Sequence, residues 1–439
     1  GRCEPGARSH FGSSRGSEGR PAPSTKQSTA RKKGHPMVKV VCVLYEDPAE
    51  GYPKTYPRSD IPEIKSYPDG QPTPAPSAVD FRPGELLGSV SGELGLRKFL
   101  EEGGHRLVVT SSKDGPDSVL ERELGDAEVV ISQPFWPAYM TAERIAKAPK
   151  LGLCITAGIG SDHVDLAAAC KAGITVAEVT FSNSISVAEH VVMMILGLVR
   201  NYLPSHDWVL KGGWNIADCA ARAYDLEGMH VGTVAAGRIG IAVLRRLKPF
   251  DVHLHYTDRR RLPEEVEKEL GLTFHDTVES MVGVCDVVTI NCPLHPETEH
   301  MFGRELIRKM KRGSYIINTA RGKICDRDAV VEALEEGQLA GYAGDVWFPQ
   351  PAPESHPWRS MPHHGMTPHV SGTTLSAQAR YAAGVREILE RHLAGEPLPD
   401  YYVIAQGGKL GGVGAQSYSE GNATKGSEAA AEFKQALHR

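Results

Sequence analysis

Apolar and polar positions alternate along the first half of the chain in a pattern typical of a parallel α/β layer. Short apolar and β-branched runs predict strands at 38–44, 106–110, 127–132, 151–155 and 174–177. Helical spacing of the apolar residues predicts helices between them, at 93–102, 116–124, 141–147 and 163–171. Because strands that alternate with helices usually pair in parallel, these elements predict one α/β sheet.

A second region of the same kind begins at Met229, with a strand, tight turn, helix and strand between Val231 and Asp258. Further strands are predicted at 286–290, 314–319 and 340–344, and helices at 277–282, 303–309 and 326–335. An irregular segment is predicted at 347–369, and the helix predicted at 373–394 is expected to return to the first layer. The tail from Gly407 is predicted to be extended and weakly structured. The fold class predicted is α/β, with two Rossmann-like domains and parallel sheets.

A long apolar helix is predicted from Ser184 to Leu210, between the two regions. Ser184 or Ser186 is the predicted N-cap, with Glu189 at capping-box spacing from Ser186. Pro204 is expected to kink the helix. We interpret this helix as a bridge between two domains or as a contact with a second subunit.

Two segments do not follow the α/β pattern. Residues 1–36 are rich in Ser, Gly and Arg and are predicted to be a disordered leader. We interpret them as an organellar transit peptide or as a leader ahead of a natural start at Met37. Residues 45–90 are predicted to form a long loop, because prolines interrupt regular structure through most of it.

Composition excludes several classes of protein. The net charge of −5 argues against nucleic acid or an anionic membrane as the main partner. The longest apolar run, 191–199, is about half the length that spans a bilayer. The eight cysteines include no Cys-x-x-Cys pair, so we expect free thiols in a reducing, cytoplasmic compartment, or an organelle if the leader is a transit peptide. The histidines lack metal-ligand spacing, and no metal is expected.

The turn at Gly237 and Gly240 carries an incomplete dinucleotide-binding fingerprint, in which Ala235 replaces the first glycine. Gly237 lets the backbone approach a pyrophosphate at the helix N-terminus. Asp258 lies at the tip of the next strand, where a carboxylate accepts hydrogen bonds from a ribose. An ordinary βα turn without a ligand is the alternative.

Four further segments are predicted to converge on the carboxyl ends of the strands. Asn183 can bind a carboxylate, or it is a plain N-cap. The loop 291–299 can line the adenine side of a cofactor, or it is a turn made rigid by two prolines. Arg321 suits bidentate binding of a small carboxylate, or it is a surface or ion-paired arginine. His369, between Pro368 and Ser371-Gly372, is well placed for a site, although a lone histidine is usually structural.

Taken together, these residues resemble the D-2-hydroxyacid dehydrogenase superfamily and, within it, the NAD-dependent formate dehydrogenases. The resemblance runs from Val38 to the C-terminus. It is carried by the strings GYPKTY, LLGSVSGELGLRKFL, SQPFWPAY, TAGIGSDHVDL, NSISVAEHVVMMIL, VGTVAAGRIG, HLHYTDR, NCPLHPETEH, NTARGK, GYAGDVWFPQPAP and TPHVSGTT.

This resemblance implies an enzyme of one-carbon metabolism that oxidises formate to carbon dioxide by hydride transfer to NAD, with neither proton abstraction nor metal. It implies a homodimer and these domain boundaries: catalytic domain 37–183, NAD-binding domain 184–370 and the rest of the catalytic domain 371–439. The implied catalytic residues are Arg321, His369, Asn183 and Gln350, and those around the substrate are Ile159, Asn183, Arg321 and Phe135. The implied cofactor contacts are Ser184, Gly237, Arg238, Ile239, Gly240, Asp258, Pro293, Leu294, His295, Pro296, Glu297, Thr319, Asp345, His369, Val370, Ser371, Gly372 and Ser417.

Gln350 is the residue that favours formate over a 2-hydroxy acid. Related 2-hydroxyacid dehydrogenases place a glutamate beside their histidine base, whereas an amide cannot raise the pKa of His369 by ion pairing. The rivals are a dehydrogenase of glyoxylate or glycerate, and a non-catalytic NAD-sensing protein such as the corepressors of this superfamily. Asp258 predicts NAD rather than NADP, although three following arginines leave some NADP use open. Cys292 is either a reactive thiol beside the cofactor or a packed one.

Overall fold

The structure is a computed structural model that describes residues 36–46, 61, 66, 79 and 86–412. The predicted leader up to residue 35, most of the predicted loop at 45–90 and the tail beyond residue 412 lie outside the described residues.

The described residues form these strands in chain order: β1 (Lys39–Val43), β2 (Arg106–Thr110), β3 (Val129–Ser132), β4 (Leu153–Thr156), β5 (Thr175–Glu178), β6 (His230–Val234), β7 (His253–Thr257), β8 (Leu272–Phe274), β9 (Val287–Ile290), β10 (Ser314–Asn318), β11 (Leu339–Gly344), β12 (His364–Met366), β13 (Val403–Gln406) and β14 (Lys409–Leu410). The helices are α1 (Arg97–Glu102), α2 (Val119–Glu123), α3 (Ala142–Ala146), α4 (Leu166–Ala172), α5 (Ser184–Val199), α6 (Tyr202–Leu210), α7 (Ile216–Ala220), α8 (Arg238–Leu247), α9 (Glu264–Leu270), α10 (Val278–Val282), α11 (Arg304–Lys309), α12 (Arg327–Glu335) and α13 (Leu375–Ala394). Short 3-10 helices lie at Glu93–Gly95, Leu124–Asp126, Lys248–Phe250, Gly322–Ile324 and Pro357–Arg359.

Sheet 1 has the strand order β2-β1-β3-β4-β5-β13-β14. Its first five strands are parallel, and β13 adds to β5 in the antiparallel direction. The sheet is therefore discontinuous in sequence, because its last two strands follow the whole of the second sheet in the chain.

Sheet 2 has the order β8-β7-β6-β9-β10-β11-β12, and all its strands are parallel. The strand order reverses between β6 and β9, which is the topological switch point of a Rossmann fold and the place where such sheets bind ligands. The predicted α/β class with two Rossmann-like sheets is confirmed.

Two helices connect the sheets. α5 leaves the end of β5 in sheet 1 and buries Val191 and Ile195 with Val231 in the core of sheet 2. α13 buries Tyr381 and Ile388 in the core of sheet 1. The predicted return of the last helix to the first sheet is confirmed, whereas α5 links the two sheets along the chain and packs in the core of sheet 2.

The helix predicted from Ser184 to Leu210 is wrong in its course. It divides into α5 and α6, which meet at 69°, and the break lies at Asn201, whose φ is +51°. Pro204 is the third residue of α6, where its missing N–H removes no helical hydrogen bond. The predicted serine caps are also wrong, because the N-cap is Asn183 and both serines lie inside the helix.

Most other predicted elements are found, with ends shifted by one to three residues. The pattern missed the helices α7 and α9 and the short strands β8, β12, β13 and β14. These strands have two to four residues, too few to show a periodicity, and each pairs with a neighbouring strand. Within the tail predicted to be extended, Lys409–Leu410 form the short strand β14, which pairs with β13. Within the described residues, no single helix is long and apolar enough to cross a membrane; only the bent pair α5 and α6 has the length and composition when joined.

Candidate active site

The carboxyl ends of both sheets face one cavity of about 1090 Å³. Its wall includes Ala157 and Thr180, which follow β4 and β5 in sheet 1. It also includes Val234, Asn291 and Thr319, which end or follow strands of sheet 2. Ligands bind at this edge of open parallel sheets, so the cavity is the candidate site.

One end of the cavity is formed by the fingerprint turn. Gly237 is the N-cap of α8, and a Cβ there would project into open space. A Cβ at Gly240 would overlap the carbonyl oxygen of Ala235, so this glycine permits the tight turn. Ala235 has a φ of +71°, a left-handed conformation that costs an alanine about 1 kcal/mol relative to glycine. The turn thus keeps the glycine conformation although the first glycine is absent.

Asp258 follows β7 at the rim of this end of the cavity. Its carboxylate accepts hydrogen bonds from the backbone N–H groups of Ala236 (2.8 Å) and Arg260 (3.0 Å). These bonds fix the carboxylate on the cavity wall, where it can meet a ribose.

Asn183 lies on the wall at the start of α5. It occupies the N-cap position, as the alternative interpretation predicted, but its side chain makes no capping hydrogen bond. Its Oδ1 atom is buried and has no hydrogen-bond partner among the described residues. A Cβ at Gly372 would lie 2.5 Å from Asn183 Nδ2, so this glycine leaves room for the amide.

Arg321 follows β10 and enters the cavity from sheet 2. Its Nη1 donates to the carbonyl oxygen of Ala320 (2.8 Å), and its Nε and Nη2 donate to the carboxylate of Asp162 at 2.5–3.1 Å. Partial burial opposes ionisation of Asp162, but the charge and hydrogen bonds of Arg321 outweigh it and lower the pKa of Asp162 to about 2. Arg321 is therefore both ion-paired and part of the cavity wall.

His369 and Gln350 form a hydrogen-bonded pair beside Arg321. Gln350 Nε2 donates to the carbonyl oxygen of Phe135 (2.9 Å), which turns Gln350 Oε1 toward His369 Nδ1 (2.9 Å). Because that oxygen only accepts, Nδ1 must carry a proton. Burial, aided by the charge of Arg321, lowers the pKa of His369 to about 4 against the opposing effect of Asp345. The imidazole is thus neutral near pH 7.

Asp345 holds the loop that carries His369. This buried carboxylate accepts from the N–H groups of Val370 and Ser371 (2.8 Å each) and from the hydroxyl of Thr367 (2.5 Å). His369 itself has a φ of +59°, so the fixed loop imposes a strained backbone at the site.

Most of the residues predicted from the sequence lie on the cavity wall. They are Phe135, Ile159, Asn183, Ser184, Gly237, Arg238, Ile239, Asp258, Pro293, Leu294, His295, Glu297, Thr319, Arg321, His369, Ser371 and Gly372. The predicted residues Gly240, Pro296, Asp345, Gln350 and Val370 are not on the wall, and Ser417 lies outside the described residues. Asp162 was not predicted as a site residue, although it stands in the string TAGIGSDHVDL just after a strand.

The wall fits a polar dinucleotide. Besides Asn183, the buried side-chain oxygens of Asn291 and Thr319 have no hydrogen-bond partner in the described part of the chain. Burial raises the pKa of the Cys292 thiol to about 12, which favours a packed thiol over a reactive one. The described residues contain no cluster of three or more His, Cys, Asp or Glu side chains suited to a metal ion.

Comparison with known proteins gives consistent matches. The family model for the D-isomer specific 2-hydroxyacid dehydrogenase NAD binding domain matches residues 192–371. A formate dehydrogenase from Pseudomonas sp. (strain 101) is 74% identical over 401 residues, which cover 91% of this chain and 100% of that protein.

Two solved structures are also similar. A formate dehydrogenase from Granulicella M. is 69% identical with a TM-score of 0.83, covering 86% of this chain and 100% of that one. An NAD-dependent formate dehydrogenase from Staphylococcus aureus, solved in complex with NAD, is 42% identical with a TM-score of 0.71, covering 84% and 99%. The chain therefore belongs to the NAD-dependent formate dehydrogenases of the D-2-hydroxyacid dehydrogenase family.

Proposed function

We propose that this chain oxidises formate to carbon dioxide by direct transfer of the formate hydride to NAD⁺, giving NADH. The observation that carries the proposal is the pair of His369 and Gln350 beside Arg321. An amide carries no charge, so Gln350 cannot stabilise by ion pairing the imidazolium that forms when a histidine takes a hydroxyl proton. Formate needs no such base, because loss of its hydride leaves carbon dioxide directly.

Arg321 and Asn183 are the proposed ligands of the formate oxygens. Arg321 brings a planar guanidinium, and Asn183 brings an amide that leaves its helix uncapped. The backbone at Ile159 assists in binding the formate oxygens. The side chains of Phe135 and Ile159 form the apolar wall that keeps water from the reacting C–H bond. These contacts fix formate so that its C–H bond points in a single direction, which lowers the entropic part of the activation barrier.

His369 completes the proposed substrate pocket. The ring of Phe135 lies edge-on to the imidazole, with 6.4 Å between centroids, and Gln350 fixes its tautomer. The pair of Arg321 and Asp162 has no net charge. The pocket therefore receives the formate anion without a charged base beside it.

NAD is the proposed cofactor, and when bound it supplies the hydride acceptor. We propose that the N–H groups at the start of α8, from Gly237 to Ile239, hold its pyrophosphate, since Gly237 faces open space. Asp258 would accept from the ribose hydroxyls. Thr319 and Asn291 offer buried oxygens that need partners.

The other predicted properties are proposals as well. We propose domains at 37–183, 184–370 and 371–439, which agree with the sequence discontinuity of sheet 1. A cytoplasmic location is supported by the free cysteines of the described residues. A homodimer is supported by large exposed apolar side chains near α6 and α7, such as Leu210 (71% exposed) and Trp214 (84%).

The test of the site assignment is Arg321→Ala. We expect formate turnover to be lost while NAD⁺ binding, measured by titration calorimetry, remains. Arg321→Lys is the matched control, because it keeps a positive charge but not the planar fork, and we expect it to recover little activity. Normal turnover in Arg321→Ala would refute the assignment.

A further inference from the structure

The ion pair of Asp162 and Arg321 joins the two sheets across the cavity. Asp162 lies on the loop after β4 in sheet 1, and Arg321 follows β10 in sheet 2. Arg321 Nε lies 2.9 and 3.1 Å from the two oxygens of Asp162, and Nη2 lies 2.5 Å from Oδ1. The side chains are 31% and 23% exposed, so water screens the pair only in part. The resemblance implies no role for Asp162.

The loop that carries Asp162 is itself fixed from behind. Buried Glu178 accepts hydrogen bonds from the Gly160 N–H and the Ser161 hydroxyl, each at 3.0 Å. Gly160 has a φ of +109°, and a Cβ there would overlap Arg321 Nη2. The backbone thus makes space for the guanidinium directly beside the carboxylate that pairs with it.

We propose that Asp162 is a positioning residue for formate oxidation: it orients the fork of Arg321 and offsets its charge, so that bound formate is not held too strongly to lose its hydride. This inference rests on the proposed function, because it places formate on Arg321.

Negative charge disappears from the substrate during the reaction. The C–H bond of formate breaks, its electron pair leaves with the hydrogen to NAD⁺, and the remaining carbon dioxide is neutral. An uncompensated positive charge beside the carboxylate therefore stabilises bound formate more than the transition state, which lowers KM and kcat together. The pKa of Asp162, about 2, keeps its carboxylate ionised throughout the working pH range. Asp162 therefore does not stop Arg321 from donating hydrogen bonds to formate, but its negative charge weakens the electrostatic attraction of the guanidinium for the substrate.

The test is Asp162→Asn, assayed with saturating NAD⁺ and varied formate. The amide keeps the shape of the side chain and an acceptor for one N–H of Arg321, but it removes the charge. We expect kcat and KM for formate to fall together, each on the order of tenfold. We expect the inhibition constant of nitrate, an inert planar monoanion, to fall by a similar factor. Asp162→Ser removes the charge together with the acceptors that orient Arg321, so we expect kcat to fall further than in Asp162→Asn.

The matched control is Asp328→Asn. Asp328 accepts two hydrogen bonds from Arg327, at 2.8 and 3.1 Å, in a similar fork on the exposed surface. The substitution changes the net charge of the protein equally, and we expect wild-type constants.

Three results distinguish failure of the proposed role of Asp162 from failure of the proposed function. In Asp162→Asn, a rise in KM for formate with a fall in kcat would show that Asp162 acts only by holding the structure, and would overturn the proposal. Unchanged constants in Asp162→Asn would also overturn it. Absence of formate oxidation by the wild-type protein would instead refute the proposed function.

Discussion

Replacing Gln350 by glutamate tests the role of the neutral histidine. Gln350 Oε1 lies 2.9 Å from His369 Nδ1, so Gln350→Glu places a carboxylate at hydrogen-bond distance from the imidazole. In the wild-type protein, burial holds the pKa of His369 at about 4. A carboxylate at this point favours the imidazolium and raises that pKa.

The size of the effect follows from the distance. With charge centres about 4 Å apart and an effective dielectric constant of about 20, the attraction is about 4 kcal/mol, or roughly three pKa units. The pKa of His369 then moves from about 4 to near neutrality, although the apparent value belongs to the pair.

The direction of the pH effect follows from the charge of the pocket. Below the new midpoint the imidazolium and the introduced carboxylate cancel, as Arg321 and Asp162 do. Above it the imidazole is neutral, and the pocket carries one negative charge that repels formate. At a separation of about 8 Å this repulsion is about 2 kcal/mol, so we expect kcat/KM for formate to fall roughly thirtyfold as pH rises through about 7.

The assay is kcat/KM for formate from about pH 6 to about pH 9, at saturating NAD⁺. We expect a flat profile for the wild-type protein, because His369 remains neutral over that range. Gln350→Met is the control: it removes the hydrogen bonds without adding charge, and we expect lower but pH-independent activity. A flat profile in Gln350→Glu, or the same midpoint in Gln350→Met, would refute the reasoning.

Three further predictions concern other parts of the molecule. Gly160→Ala adds a Cβ that overlaps Arg321, so we expect kcat/KM for formate to fall roughly hundredfold while NAD⁺ still binds; near-normal kinetics would contradict this geometry. Burial, with neighbouring histidines, lowers the pKa of His255 from 6.5 to about 4. The unfolded chain therefore binds a proton at a higher pH than the folded protein does, and the folded state loses stability as pH falls from 6.5 to about 4. Between pH 7 and pH 5, we expect the free energy of unfolding in urea to fall by about 2 kcal/mol less in His255→Asn than in the wild type; an equal fall would count against a depressed pKa. Asp258 should repel a 2′-phosphate, so we expect kcat/KM to favour NAD⁺ over NADP⁺; a preference for NADP⁺ would show that Asp258 does not set the choice.

Local patterns predicted much of the fold because strands and helices of this class have strong periodicity. The dinucleotide turn was also visible, since the glycines and Asp258 lie within one short unit. The sequence does not predict the break between α5 and α6 at Asn201, because the residue with left-handed backbone there is an asparagine rather than a glycine. Short strands such as β12 depend on the neighbouring strand, β11, for their hydrogen bonds.

The sequence predicts less of the site than of the fold, because the residues that form the site are far apart in the chain. The tautomer of His369 depends on the carbonyl oxygen of Phe135, which lies 215 residues before Gln350. The pairing of Asp162 with Arg321 spans 159 residues, and no local motif marks it. The resemblance implied roles for Arg321, His369 and Gln350, but it left Asp162 without one.

Direct hydride transfer from formate is the central claim, and deuterated formate tests it most directly. The wild-type protein is mixed with NAD⁺ and deuterated formate, and the absorbance of the reduced nicotinamide is followed. The reduced cofactor is then analysed by mass spectrometry. We expect NADH to form and to carry one deuterium atom from formate. NADH without deuterium would contradict direct transfer, and no reduced nicotinamide with formate, together with oxidation of NADH by glyoxylate, would contradict the proposed reaction.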